Sequence, residues 1–267
     1  MQALRLAAFA DEISPDLDVQ IAECCKHGIT HIELRSVAGI NVLDFDPSMR
    51  TEIKRKLADN GLGVISIGSP IGKVKLGEPF EPHFERFKVA VELAEHFGAP
   101  FIRIFSYYET TPADRDEVLR RMQKKVDYLH GRAPVLVHEN EAKIYGEKAA
   151  QCLDLLQTIN SPKLRAAFDF ANFVQAGENP LYAWVLLKPY TVHFHIKDAL
   201  AGSGRVVPAG YGDGQLAEIL RDAYASDYRG FLSLEPHLAA AGQFAGFSGP
   251  ELFAEAVAAV RVLPMTV

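Results

Sequence analysis

Four polar residues, far apart in the chain, each close a short apolar run. Glu139 follows Pro134-Val-Leu-Val-His, Asp169 follows Leu164-Arg-Ala-Ala-Phe, His195 follows Tyr190-Thr-Val-His-Phe and Glu235 follows Gly230-Phe-Leu-Ser-Leu. An apolar run that ends abruptly in a charged group has the profile of a buried parallel strand whose last residue enters a cavity. Three carboxylates and one imidazole at such ends are able to converge on a divalent cation. Those donors suit Mn²⁺, Mg²⁺, Co²⁺ or Zn²⁺, and no thiolate stands among them to select a softer metal. A carboxylate buried there alone would be costly, so a cation or strong hydrogen bonds must compensate. A Lewis acid at a carbonyl oxygen, with a base in reach of the neighbouring carbon, removes a proton from that carbon; two bases on opposite faces permit inversion.

The elements that must position these groups alternate along the whole chain. Strand-like runs at Leu4 to Ala10, Ile29 to Leu34, Gly63 to Ile67 and Phe101 to Phe105 precede the four already named. Helix-like runs follow at Leu17 to Lys26, Pro47 to Asn60, Pro82 to Phe97, Pro112 to Leu129, Glu147 to Thr158, Pro180 to Leu187, Gly214 to Ala225 and Gly249 to Val262. Gly28, Gly61 and Gly98 supply stops for the first three. Eight βα units in this length predict a single-domain (β/α)₈ TIM barrel over residues 1–267. No GxGxxG follows the first strand, which removes the main support for a doubly wound dinucleotide fold. The long loops at Val37 to Phe45, Ser69 to Phe80 and Ala199 to Gly214 all follow strands, so they open on the face that carries chemistry in such barrels.

With a formal net charge of -6, the surface is not one designed to attract phosphodiester backbones, and no nucleic-acid partner is expected. The cysteines Cys24, Cys25 and Cys152 form neither a disulfide framework nor a CxxC metal site. No apolar run approaches a membrane span, and the first apolar run lacks a basic leader, so the expectation is a reduced, cytoplasmic protein. The sequence leaves a homo-oligomer open.

Specific motifs carry a resemblance over essentially the whole chain. His138-Glu-Asn-Glu141, Phe168-Asp-Phe-Ala-Asn172, His195-Ile-Lys-Asp198, Pro208-Ala-Gly-Tyr-Gly-Asp213 and Ser233-Leu-Glu-Pro-His237 are similar to the xylose isomerase-like TIM-barrel superfamily of sugar isomerases and epimerases. The resemblance implies that Glu139, Asp169, His195 and Glu235 hold one divalent ion, with Mn²⁺ favoured. It also implies that Glu139 and Glu235 exchange a proton with a sugar carbon beside the carbonyl, through an enediolate. Within the superfamily the mechanism-bearing positions resemble ketose 3-epimerases, with one departure. Asn172 stands where those enzymes typically carry a second His, and Asn can hydrogen-bond but cannot change charge near neutrality. Arg205 resembles the family's substrate-binding Arg.

Other residues are weighed against structural roles. Lys197 is expected either to donate to a sugar oxygen or to pair with Asp198, and His237, beyond the last strand, is a candidate substrate contact. His138 faces away from Glu139 and is expected to pack behind the barrel. Glu33 and Arg103 are expected in ion pairs between neighbouring strands. Glu12 and Glu141 read as loop acids, Phe105, Tyr107 and Tyr108 as aromatic packing, and Gly210, Gly212 and Gly214 as turn residues. The same metal and base would also serve a lyase or hydratase on keto-sugars, including 3-keto-glycosides. A nuclease resembling endonuclease IV, which needs many His ligands, and a sugar-binding barrel without turnover are the remaining alternatives.

Overall fold

The computed structural model describes residues 4–238 and 249–264. Eight strands close a parallel barrel: β1 (Leu6–Ala8), β2 (His31–Leu34), β3 (Gly63–Ile67), β4 (Phe101–Ile104), β5 (Val135–Glu139), β6 (Leu164–Asp169), β7 (Thr191–Ile196) and β8 (Leu232–Leu234). They pair in chain order, and β8 returns to β1 with Leu6 opposite Leu232 and Ala8 opposite Leu234. The fold is the expected (β/α)₈ TIM barrel.

The helices outside it are α1 (Leu17–Lys26), α2 (Pro47–Asp59), α3 (Phe80–Phe97), α4 (Arg115–Tyr128), α5 (Ala149–Ile159), α6 (Phe170–Gln175), α7 (Pro180–Leu187), α8 (Leu216–Ala225) and α9 (Gly249–Arg261). Local chemistry sets their ends. The Asp16 carboxylate accepts from the Asp18 and Val19 amides to start α1, and Asn179 does the same for α7, where Pro180 takes the first helical position. Gly98 ends α3 in the left-handed region at φ 69°. Between strands and helices lies one large apolar layer, in which Phe87 of α3, Phe168 of β6, Phe194 of β7 and Phe253 of α9 are fully buried. No helix among the described residues is long and apolar enough to cross a membrane.

Several boundaries differ from the sequence reading. The first strand stops at Ala8, because Ala10–Glu12 turns into a 3₁₀ helix that buries both Asp11 and Glu12. The fourth helix opens with a 3₁₀ turn, Pro112–Asp114, closed by reciprocal Thr111 and Asp114 hydrogen bonds. Two of the long loops hold small antiparallel ladders, Ser36–Val37 with Ile40–Asn41 and Asp198–Ala199 with Val206–Val207. The short α6, directly after Asp169, was not anticipated. Asp169 is its cap, and one and a half turns of Phe170, Ala171, Phe173 and Val174 are buried.

Candidate metal centre

Strand geometry gathers the four predicted side chains at one end of the barrel. Val137 and Glu139 point inward from β5, and Ala167 and Asp169 from β6, with Asp169 opposite His195 and His195 opposite Ser233. Glu139, Asp169, His195 and Glu235 are all buried and each offers a ligand atom, these atoms lying within 4.8 Å of one another. His195 Nδ1, Asp169 Oδ2 and Glu235 Oε2 are buried and form no aligned hydrogen bond, each having only ion-pair contacts. Inward-aimed, unsatisfied oxygen and imidazole nitrogen atoms are the donor set a divalent ion would complete, so the residues fit such an ion.

Basic side chains of the protein surround that set. Arg103 Nη1 stands 3.2 Å from Glu139 Oε2 and 3.6 Å from Glu235 Oε1. Lys197 Nζ lies 3.0 Å from Asp169 Oδ2 and 3.6 Å from Glu235 Oε2. His195 Nδ1 approaches Glu139 Oε1 at 3.2 Å, and Arg35 Nη1 reaches Glu235 Oε1 at 2.8 Å. Burial opposes ionisation of Glu139, yet His195 and Arg103 outweigh it and bring its pKa to about 2. Burial lifts Asp169 to about 6 against the pull of Lys197. His195 is opposed by burial but held well above its ordinary value by Glu139 and Glu33. The field that favours a proton on His195 favours a cation in the same place.

The remaining predicted residues divide. Asn172 Nδ2 donates to Asn140 O at 2.8 Å and to Glu139 Oε1 at 3.4 Å, so it lies beside the cluster. His237 places Nδ1 3.0 Å from Glu12 Oε1 and Nε2 3.4 Å from Glu235 Oε1. Lys197 joins the cluster rather than pairing with Asp198. That carboxylate instead accepts from the amides of Ala199, Gly210, Gly212 and Gly214, which fold the glycine loop around it. Arg205 is not brought in: it is exposed on the turn of the second small ladder and lines an outer groove with Pro208, Tyr211 and Val262.

His138 packs outward as expected, with Nε2 2.9 Å from Ser106 Oγ. Arg103 forms its ion pair with Glu139 on the neighbouring strand, as expected. Glu33 does not: it meets His193 and His195 of β7, three places round the ring. Tyr107 is buried under its loop, and Glu141 pairs with Lys73 at 2.8 Å.

Three residues near the cluster escaped the sequence reading. Arg35, one residue past β2, also bonds Asp11 Oδ2 at 2.7 Å and Glu12 Oε1 at 3.4 Å. Glu12, taken for a loop acid, is buried and accepts from the His237 amide. Asn140 brackets Asp169, accepting from its amide at 2.9 Å and donating to its carbonyl at 3.0 Å. The available signal was position alone, since each directly follows a strand or its terminal turn.

A closed parallel barrel whose strand ends gather three carboxylates and an imidazole defines a (β/α)₈ protein with a candidate divalent-metal centre. Residues 21–261 match the family model described as xylose isomerase-like TIM barrel, and the chain belongs to that family. A curated 3-dehydroshikimate dehydratase of Bacillus anthracis is 22% identical over 129 residues, 47% of this chain and 46% of that one, so the match spans about half the relative's length. A solved L-ribulose 3-epimerase superposes with a TM-score of 0.75 at 18% identity, covering 99% of this chain and 95% of the other. A xylose isomerase-like TIM barrel protein from Mycobacterium smegmatis, in complex with magnesium, gives 0.73 at 18% identity, with coverage of 97% and 96%. At these identities the solved structures are likenesses of fold.

Proposed function

We propose that the chain is a metal-dependent sugar isomerase or epimerase that moves a proton at a carbon beside a carbonyl. The observation that carries this reading is the meeting of Glu139, Asp169, His195 and Glu235 within 4.8 Å. Those four would hold the divalent ion, Mn²⁺ by preference, and when bound it would supply Lewis-acid polarisation of the substrate carbonyl. Glu139 and Glu235 are the proton carriers: one, ionised, removes the proton from one face, and the other, after taking up a proton from solvent, delivers that proton to the opposite face. Arg103 bridges both and favours the ionised form of Glu139, while Lys197, His237 and Arg35 favour that of Glu235. Lys197 and Asn172 are donors beside the cluster for substrate hydroxyls or a developing oxyanion, and His237 adds a contact at the rim. Arg205 has weaker support as a substrate contact, since it lies outside this cluster. The substrate is a small polyhydroxy ketone or aldehyde rather than a nucleic acid, and the protein is read as cytoplasmic.

Solvent deuterium exchange tests this: with Mn²⁺ present, candidate ketoses should gain deuterium at the carbon beside the carbonyl, and Glu139→Gln and Glu235→Gln should abolish the gain. Undiminished exchange in both variants would contradict the assignment. The curated dehydratase relative favours a second reading, in which proton removal is followed by loss of a leaving group. Appearance of an unsaturated product, instead of an epimer or isomer, would select it.

A further inference from the structure

Beneath the candidate centre, a second buried polar group has no place in the proton-transfer chemistry. Glu33 of β2 reaches across the barrel interior with both oxygens engaged. Oε1 accepts from Ser66 Oγ at 2.9 Å, and Oε2 lies 2.8 Å from His193 Nε2. The same Oε2 is 3.3 Å from His195 Nε2, and Glu33, His193 and His195 have no exposed side-chain surface. Ser66 stands opposite Glu33 in the β2–β3 ladder, while His193 and His195 share one face of β7. Three strands therefore fix one carboxylate under one imidazole. The ring of His195 is further held edge-on by Phe9 at 5.2 Å and by His193 at 5.2 Å.

We propose that Glu33 is a positioning residue that fixes the tautomer and orientation of His195, so that Nδ1 presents its lone pair to the ion. This rests on the metal reading above and extends it to a residue outside the ligand set. A ring nitrogen facing a carboxylate carries the proton of the neutral imidazole, which leaves the opposite nitrogen free to ligate. Nε2 faces Glu33 Oε2 at 3.3 Å and Nδ1 faces Glu139 Oε1 at 3.2 Å, and neither nitrogen forms a hydrogen bond; Glu139 belongs to the proposed ligand set and Glu33 does not, so Nδ1 is the nitrogen turned toward the ion. Glu33, His193 and His195 also lie close enough to hold an ion themselves. The 2.8 Å contact to His193 Nε2 and the Ser66 bond occupy both carboxylate oxygens, which argues for support rather than ligation.

The test is Mn²⁺ affinity by calorimetric titration of the metal-stripped full chain, with Co²⁺ absorption spectra at saturation. Glu33→Gln removes the charge that selects the tautomer and should weaken Mn²⁺ binding by about 10–100-fold and alter the Co²⁺ bands. A role confined to packing would lower thermal stability and leave the Co²⁺ bands unchanged. Ser66→Ala keeps the charge but frees one oxygen, and should weaken binding in the same direction by less; it carries the test if Glu33→Gln does not fold. Parental affinity and spectrum in the variants, while Asp169→Asn loses the metal, overturn the positioning role alone. Absence of Mn²⁺ binding by the parent protein overturns the metal reading and this inference with it.

Discussion

Lys197 holds its ammonium 3.0 Å from Asp169 Oδ2, in a place where both side chains are buried and Glu235 stands 3.6 Å away. Without that cation Asp169 would face Glu139 and Glu235, which already help burial to raise its pKa. Removing one member of a buried ion pair typically costs about 3–5 kcal/mol. Lys197→Met should lose about that much stability in EDTA and recover more of it on adding Mn²⁺ than the parent gains. Urea unfolding with and without metal reads both effects; parental stability in EDTA would contradict the pairing.

Arg35 ties Glu235 to the first loop, with 2.8 Å to Glu235 Oε1 and 2.7 Å to Asp11 Oδ2. Lysine keeps the charge but cannot fork to separate carboxylates. Arg35→Lys should therefore lower kcat/KM for proton exchange by about 10–100-fold through misplacement of Glu235. Unchanged kinetics would mean that Arg35 only closes the rim.

Gly72 anchors the loop after β3 against the loop after β4. It has φ +97°, and a Cβ there would stand 2.0 Å from Phe105 O. The obstacle is backbone that itself bonds across the two loops, since the Phe105 amide donates to Ile71 O and the Tyr107 amide to Gly72 O. Gly72→Ala should cost about 2–4 kcal/mol of unfolding free energy, measured in urea.

The buried imidazole of His138 and the half-buried one of His83 set an acid limit. Burial is the main cause that brings His138 to about 4, and it does the same for His83 with help from Lys125 and Arg121. Both start from an ordinary value of 6.5, so the unfolded chain binds protons between about 6.5 and 4 that the folded chain refuses. Stability should be intact above that window and decline as pH falls through it, by up to about 3 kcal/mol for His138. The Glu139 contribution, with a folded pKa of about 2 against an ordinary 4.5, disappears only further down. Denaturation midpoints from pH 7 to 4 would show the decline, and His138→Gln should flatten it.

The barrel was legible because each buried strand is a compact apolar run, and the meeting of Glu139, Asp169, His195 and Glu235 because they break those runs at the same point. What stayed hidden depends on contacts between distant segments. Arg35 meets Glu235 across 200 residues, and the His237 amide meets Glu12 across 225, so neither local composition nor spacing reports them. Glu33 has the opposite problem, being plain in sequence yet given its partners by closure of the ring, which brings β7 within reach of β2. Lys197 reads from sequence as either a donor to a sugar oxygen or a partner of Asp198; the glycine loop satisfies that carboxylate and leaves the lysine to the cluster.

The proposed chemistry depends on four strand-end side chains binding one divalent ion. A crystal structure of the protein with Mn²⁺, using anomalous scattering at the manganese edge, tests it directly. One peak is expected, contacted by an atom from each of Glu139, Asp169, His195 and Glu235. A protein that shows no peak there at saturating Mn²⁺, or a peak held by other residues, would contradict it.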